Sequence, residues 1–194
     1  MRKQIARLTS NILSPPVTAT ISILLVSFES TTSLFDSFKW ALTAIALSIL
    51  PLSLAVVYLV RTKRLDSVFA DIRKQRTKIY VLVTILAGVG YVVLHCLAAP
   101  LELAALFLTG FVSGVIFGCI NLWWKISLHT AAVATLITVA VISYGFMATT
   151  SVVLLPLMVW ARVELGCHSA AEGITAAFLA TLILVLVFCF LGLI

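Results

Sequence analysis

The stretch Ile174–Ile194, ITAAFLATLILVLVFCFLGLI, carries no charge and is long enough to cross a hydrocarbon core of about 30 Å as a helix. It is not an isolated apolar run. Of 194 residues, 62% are hydrophobic and only 10% are charged, which is more apolar surface than a soluble domain of this size could bury. The fold class read from this is all-α: a polytopic transmembrane helix bundle forming one integral-membrane domain over residues 1–194.

Working back from that span, further apolar runs occupy roughly residues 12–28, 40–60, 79–98, 101–123, 130–147 and 151–160. The first opens on Ser14-Pro15-Pro16 and reads as a short or partly re-entrant helix. Pro51 should kink the second. The last of these runs is too short to cross unless its neighbours extend the helix, so six or seven spans are expected. No cleavable signal is expected, although Arg2, Lys3 and Arg7 precede the first run; residues 1–11 read as interfacial. Gly110, Gly114 and Gly118 recur every four residues and make a flat strip for close helix approach. That strip serves packing within the bundle or, as the second option, a homodimer. His95 reads as a buried histidine packed on a neighbouring helix. Cys96, Cys119 and Cys189 lie in apolar runs and read as small core residues, whereas Cys167 stands beside His168.

The polar residues gather in three islands. The first, Arg61–Lys78, holds seven of the thirteen basic residues together with Asp66 and Asp71, each expected to pair with a neighbouring arginine. It suits anionic headgroups or a phosphorylated substrate and could be helical near the interface. No soluble basic face remains for nucleic acid. The second island, Lys125–His129, reads KISLH, and the third, Arg162–Glu172, reads RVELGCHSAAE. Two full apolar runs separate the first island from the second, and two more separate the second from the third. An even number of crossings returns the chain to the same face, so all three share one side of the membrane. The opposite turns, near Pro100 and Thr149-Thr150, carry few charges.

This grouping fits phosphate chemistry. His168 and Glu172 are four residues apart and would share a helix face if the segment after Gly166 is helical. A carboxylate so placed holds an imidazole in one tautomer and raises its basicity. His168 is then a candidate nucleophile, with Arg162 holding phosphate oxygens. Ser127 and Lys125 can bind phosphate at the opening of the next helix, and His129 can act as general acid or base. Arg76 and Arg73 are the first island's candidates for an oxyanion clamp. The plainer reading is a set of polar caps at a membrane interface, together with a basic loop of the kind the positive-inside rule expects.

Ser127-Leu128-His129, followed by Arg162-x5-His168-x3-Glu172, resembles the second and third signatures of the type 2 phosphatidic acid phosphatase superfamily, Pro-Ser-Gly-His and Ser-Arg-x5-His-x3-Asp. The likeness covers roughly residues 61–194 and marks a divergent branch. It implies that His168 forms a phosphohistidine, that Glu172 orients it and that His129 protonates the leaving oxygen. It also implies that Ser127 and Arg162 bind phosphate, and that neither metal nor cofactor is needed. Ile126 and Leu128 stand where the signature has proline and glycine, Ala161 replaces its serine and Glu172 its aspartate. Of the first signature, Lys-x6-Arg-Pro, Arg76-Thr77 remains, with Phe69 at the lysine position; Lys125 or Arg73 are candidates to restore that charge.

The expected activity is therefore that of a membrane lipid phosphatase acting on a lipid phosphate or diphosphate. Prenyl phosphates and diphosphates are favoured over phosphatidate and phosphatidylglycerol phosphate, because the chain has no soluble insert to take a bulky headgroup. The alternative is a non-catalytic membrane protein that binds or carries anionic lipid. A transporter fits less well, since no inverted repeat and no mid-membrane charge are visible. The excess of Lys and Arg in the N-terminal segment and first island places the site on the cytoplasmic side of the cell membrane.

Overall fold

The computed structural model describes residues 1–67 and 73–194, and every regular element in them is helical. Helix α1 (Arg2–Ile12) leads into α2 (Pro15–Glu29) through a bend of 42°. Pro15 and Pro16 cause that bend and also start α2, because proline at the first helical positions has no hydrogen bond to forfeit. Then come α3 (Leu34–Leu47) and α4 (Ile49–Arg61), parted at Ser48. Pro51 explains the break: it has no N–H to offer the carbonyl of Leu47. Helices α5 (Arg73–Cys96) and α6 (Leu101–Ile120) form an antiparallel pair, and α7 (Leu128–Tyr144) follows. A 3₁₀ segment (Gly145–Val153), α8 (Leu154–Glu164) and α9 (Ala170–Phe190) complete the bundle.

Five helical stretches are long and apolar enough to cross a membrane: Leu34–Arg61, Arg73–Cys96, Leu101–Ile120, Leu128–Glu164 and Ala170–Phe190; the bent α1–α2 pair makes six if it counts as one span. The protein is an integral membrane protein. Its surface agrees, since α5 turns Val81, Ile85, Val89 and Val92 outward, an apolar stripe at helical spacing of the kind that lipid covers. The difference from six or seven lies in the two runs between residues 130 and 160, which join into one stretch of 37 residues. As a straight rod that stretch would measure about 55 Å. Instead it doubles back. Gly145 takes φ +64°, the 3₁₀ segment reverses the chain, and Met158 of α8 packs beside Val133 and Ile137 of α7. The short last run is thus the second arm of that stretch and lies beside α7.

The glycine strip is spent inside the bundle. A Cβ at Gly110 would lie 3.3 Å from the Cβ of Ala87, one at Gly118 would lie 3.4 Å from the Cβ of Tyr80, and one at Gly114 would collide with Thr84. Small residues let the α5 and α6 backbones close on each other. That closeness holds the start of α5 beside the end of α6. Buried Asn121 donates to the carbonyl of Arg73 at 3.2 Å, and Arg73 Nη1 donates to the carbonyl of Leu122 at 2.9 Å.

Two expectations about buried residues fail for one reason. Cys96, Cys119 and Cys189 are exposed rather than core, and Cys167 is half-buried. His95 is also exposed, its ring stacked on Tyr91 of its own helix with centroids 6.1 Å apart. Inside a membrane an apolar run does not say which of its faces meets protein and which meets lipid.

Candidate active site

The third island is organised by a helix start. Gly166, with φ +68°, turns the chain after α8, and the N–H groups of Cys167 and His168 both donate to the carbonyl of Arg162, at 3.0 and 3.3 Å. Ser169 then caps α9. Its Oγ accepts from the N–H of Glu172 at 3.2 Å, and Glu172 Oε2 accepts from the N–H of Ser169 at 3.2 Å, a reciprocal capping box. The same Oε2 accepts a 2.7 Å hydrogen bond from His168 Nδ1. His168 and Glu172 do pair, but not across one helix face. His168 precedes the helix, and the carboxylate reaches back to it from the first turn because the capping box already turns it that way.

The other ring nitrogen meets the first island. Arg76, 3% exposed in the first turns of α5, places Nη1 3.1 Å from His168 Nε2 and 3.1 Å from the carbonyl of Ile126. A guanidinium only donates, so Nε2 must accept and the ring proton must sit on Nδ1, facing Glu172. The partners thereby fix the tautomer. Burial, then the charges of Arg76, Arg162 and Lys125, and finally neighbouring His129, lower the His168 pKa to about 2. The imidazole is therefore neutral at physiological pH, with an in-plane lone pair on Nε2 aimed at an arginine.

The remaining candidates fall into two sets. Lys125 Nζ donates to the carbonyl of Cys167 at 2.8 Å, which brings the second island against the third. Arg162, 3% exposed at the end of α8, donates from Nη1 to Ser10 Oγ at 2.9 Å. His129, buried in the first turn of α7, is near enough to influence His168 electrostatically. His168, Glu172, Arg76, Arg162, Lys125 and His129 thus converge at one end of the bundle. Ser127 and Arg73 have structural bonds instead. Ser127 is the fully buried N-cap of α7, its Oγ accepting from the N–H of Thr130 at 3.4 Å and lying 2.8 Å from Thr130 Oγ1. Arg73 binds the α6 terminus as described. Phe69 and Asp71 lie outside the described residues, and the N–H of Asp66 is bonded to Gln75 Oε1 at 2.7 Å.

Sequence reasoning misses Ser10, Asn121 and the capping role of Ser169. The last could have been found, because Ser169-x-x-Glu172 before an apolar run is a helix-start signature. Ser10 and Asn121 carry no local signal. Ala161 stands where the resembled signature has serine, and the hydroxyl beside Arg162 comes from Ser10 instead. Among the described residues, no group of three or more His, Cys, Asp or Glu gathers to hold a metal ion. No family model, curated protein or solved structure matches the chain.

Proposed function

We infer that this integral membrane protein is a lipid phosphatase that cleaves a phosphomonoester or terminal diphosphate through a phosphohistidine. The observation that carries this reading is the paired engagement of His168: Nδ1–H on Glu172 at 2.7 Å and Nε2 facing Arg76 at 3.1 Å. A neutral imidazole with its lone pair turned toward fixed cations suits attack on an anion that those cations attract.

In the proposed reaction a phosphate group enters between His168 and the cations. Arg76 transfers its hydrogen bond from Nε2 to a phosphate oxygen, while Arg162 and Lys125 hold the others. The Nε2 lone pair forms the P–N bond as the P–O bond to the lipid breaks. The electron pair of that bond leaves with the lipid oxygen, which takes the proton that His129 has accepted from the entering phosphate monoanion. Glu172 offsets the positive charge that develops on the ring, acting through Nδ1–H. Water then attacks phosphorus and gives its proton to His129, and inorganic phosphate leaves as the pair returns to Nε2.

The apolar bundle around the site suits a substrate whose tail stays in the hydrocarbon, and prenyl phosphates and diphosphates are the favoured class. The site is assigned to the cytoplasmic face. Support comes from α1, which the Arg2–Glu164 ion pair at 3.6 Å and the Arg162–Ser10 bond tie to the site end; Arg2, Lys3 and Arg7 therefore lie at that end.

The test is phosphate release in detergent, with EDTA present, from prenyl phosphate, prenyl diphosphate, phosphatidate and phosphatidylglycerol phosphate. Release, with transient acid-labile labelling of the protein by ³²P, is the expected result. Tight binding of these lipids with no release from any of them would overturn the reading in favour of a carrier.

A further inference from the structure

The N-terminal helix reaches into the site. Ala6 and Ser10 of α1 are buried as it lies along α8, while Ile5, Leu8 and Ile12 are exposed on its far side. Those three recur at helical spacing, with Lys3 and Arg7 exposed beside them. This is the character of a helix lying in the interface with its apolar stripe toward lipid. Two contacts pin it at the site end. Arg2 meets Glu164 at the rim, and further in Arg162 Nη1 donates to Ser10 Oγ across a sequence separation of 152 residues.

Arg162 is held at both of its ends. Its carbonyl accepts from the backbone N–H groups of Cys167 and His168, so its main chain is fixed relative to the imidazole. An arginine side chain still has several free torsions, and a fixed backbone does not set the plane of the guanidinium. Ser10 Oγ does, by accepting one of its N–H groups at 2.9 Å in a pocket where Ser10 is 2% and Arg162 3% exposed. With one N–H anchored and the main chain held, the rotations open to the planar fork are restricted.

We propose that Ser10 is a positioning residue of the phosphate site, fixing the plane in which the Arg162 guanidinium meets a phosphate oxygen. The proposal rests on reading the site as one for phosphate. Ser10 touches no substrate and acts only through Arg162, which makes α1 a working part of the site.

The experiment compares full-length wild type with Ser10→Ala, Ser10→Cys and Ser10→Thr. Cysteine keeps the size but accepts weakly, and threonine keeps the hydroxyl. Ser10→Ala and Ser10→Cys should lower kcat/KM and weaken orthovanadate inhibition, each by roughly tenfold, with Ser10→Thr near wild type. A purely structural role would lower the amount of folded enzyme and leave the orthovanadate Ki unchanged, so an unchanged Ki overturns the proposal. If Ser10→Ala fails to fold, Ser10→Cys decides the matter by the same criterion. A turnover-independent readout is the ¹⁵N side-chain signal of Arg162 in arginine-labelled protein, which should shift or broaden on loss of the hydroxyl. If wild type releases phosphate from no lipid, the phosphatase reading falls and this signal alone judges Ser10. The signal is then followed as orthovanadate is added: a response in wild type that Ser10→Cys weakens supports the positioning role, and equal responses in the two overturn it.

Discussion

Arg76 donates to Nε2 of His168 across a sequence separation of 92 residues, at 3.1 Å, with both side chains buried. The donor occupies the lone pair that the proposed chemistry needs. In that proposal an incoming phosphate draws the arginine onto itself before the ring attacks, which would make binding and exposure of the lone pair a single event.

Replacement of His168 follows directly from this. His168→Ala should reduce phosphate release by at least about a thousandfold while the protein still folds, because the nucleophile is lost and only the cations remain. Phosphate release measured beside far-ultraviolet circular dichroism checks both halves. Undiminished release would remove His168 from the mechanism.

Glu172 has two tasks, and two substitutions separate them. Glutamine at this position can still close a capping box, so Glu172→Gln should keep the melting temperature within a few degrees. It should nevertheless lower kcat by roughly a hundredfold, since a neutral amide stabilises the phosphorylated ring poorly. Glu172→Ala loses the cap as well and should cost about 1 kcal/mol more in stability. Equal melting temperatures for the two variants would contradict the capping role.

Acidification should destabilise the protein through His168. Its folded pKa, about 2, lies below the usual imidazole value of 6.5, so the unfolded state binds the extra proton between those values. The stability contribution is complete above about pH 6.5 and falls as the pH drops toward 2, by up to ~1.4 kcal/mol per unit. Melting in detergent at pH 7 and pH 5 should show that loss in wild type and a smaller one in His168→Gln. An equal loss in the two would mean that His168 titrates normally.

Gly114 tests the scaffold rather than the chemistry. Gly114→Val would drive a side chain into Thr84 and prise α5 from α6. A destabilisation of about 2 kcal/mol is expected, with loss of turnover because Arg76 rides on α5. Gly166→Ala should be milder, since nothing lies within 4 Å of a Cβ there and only the left-handed φ of +68° is penalised, by about 1 kcal/mol. Thermal melts of the two variants side by side give the comparison.

Orientation is checked by a cysteine introduced near Arg61 in a background lacking Cys96, Cys119, Cys167 and Cys189. A membrane-impermeant thiol reagent should leave it unlabelled in intact cells and label it once the membrane is opened. Labelling of intact cells would put the site outside.

The helices are legible in the sequence because hydrocarbon accepts almost nothing else, and the apolar runs announce themselves. What each run faces is not legible. Cys119 and Gly118 are neighbours, yet one meets lipid and the other packs on Tyr80. The His168–Glu172 pair can be read from a spacing of four, although that spacing suggests a shared helix face where the structure has a helix start. Arg76 is reachable from the remnant Arg76-Thr77. Asn121 and Ser10 are not, since their partners stand 48 and 152 residues away and only folding brings them close.

The doubling back of residues 128–164 has a consequence for how the protein is made. Arg76 emerges from the ribosome long before the hairpin and His168 have been synthesised, and α1 packs on α8, so the Arg162–Ser10 bond closes only once the end of α8 has been made. The growing chain must therefore park its arginines among headgroups, still hydrated, until the hairpin returns to the surface from which it started. A ribosome stalled before Gly166 would leave an inserted chain in which Arg76 lacks its contact with His168 and Lys125 its contact with Cys167. The site is therefore assembled only when segments far apart in the sequence have met.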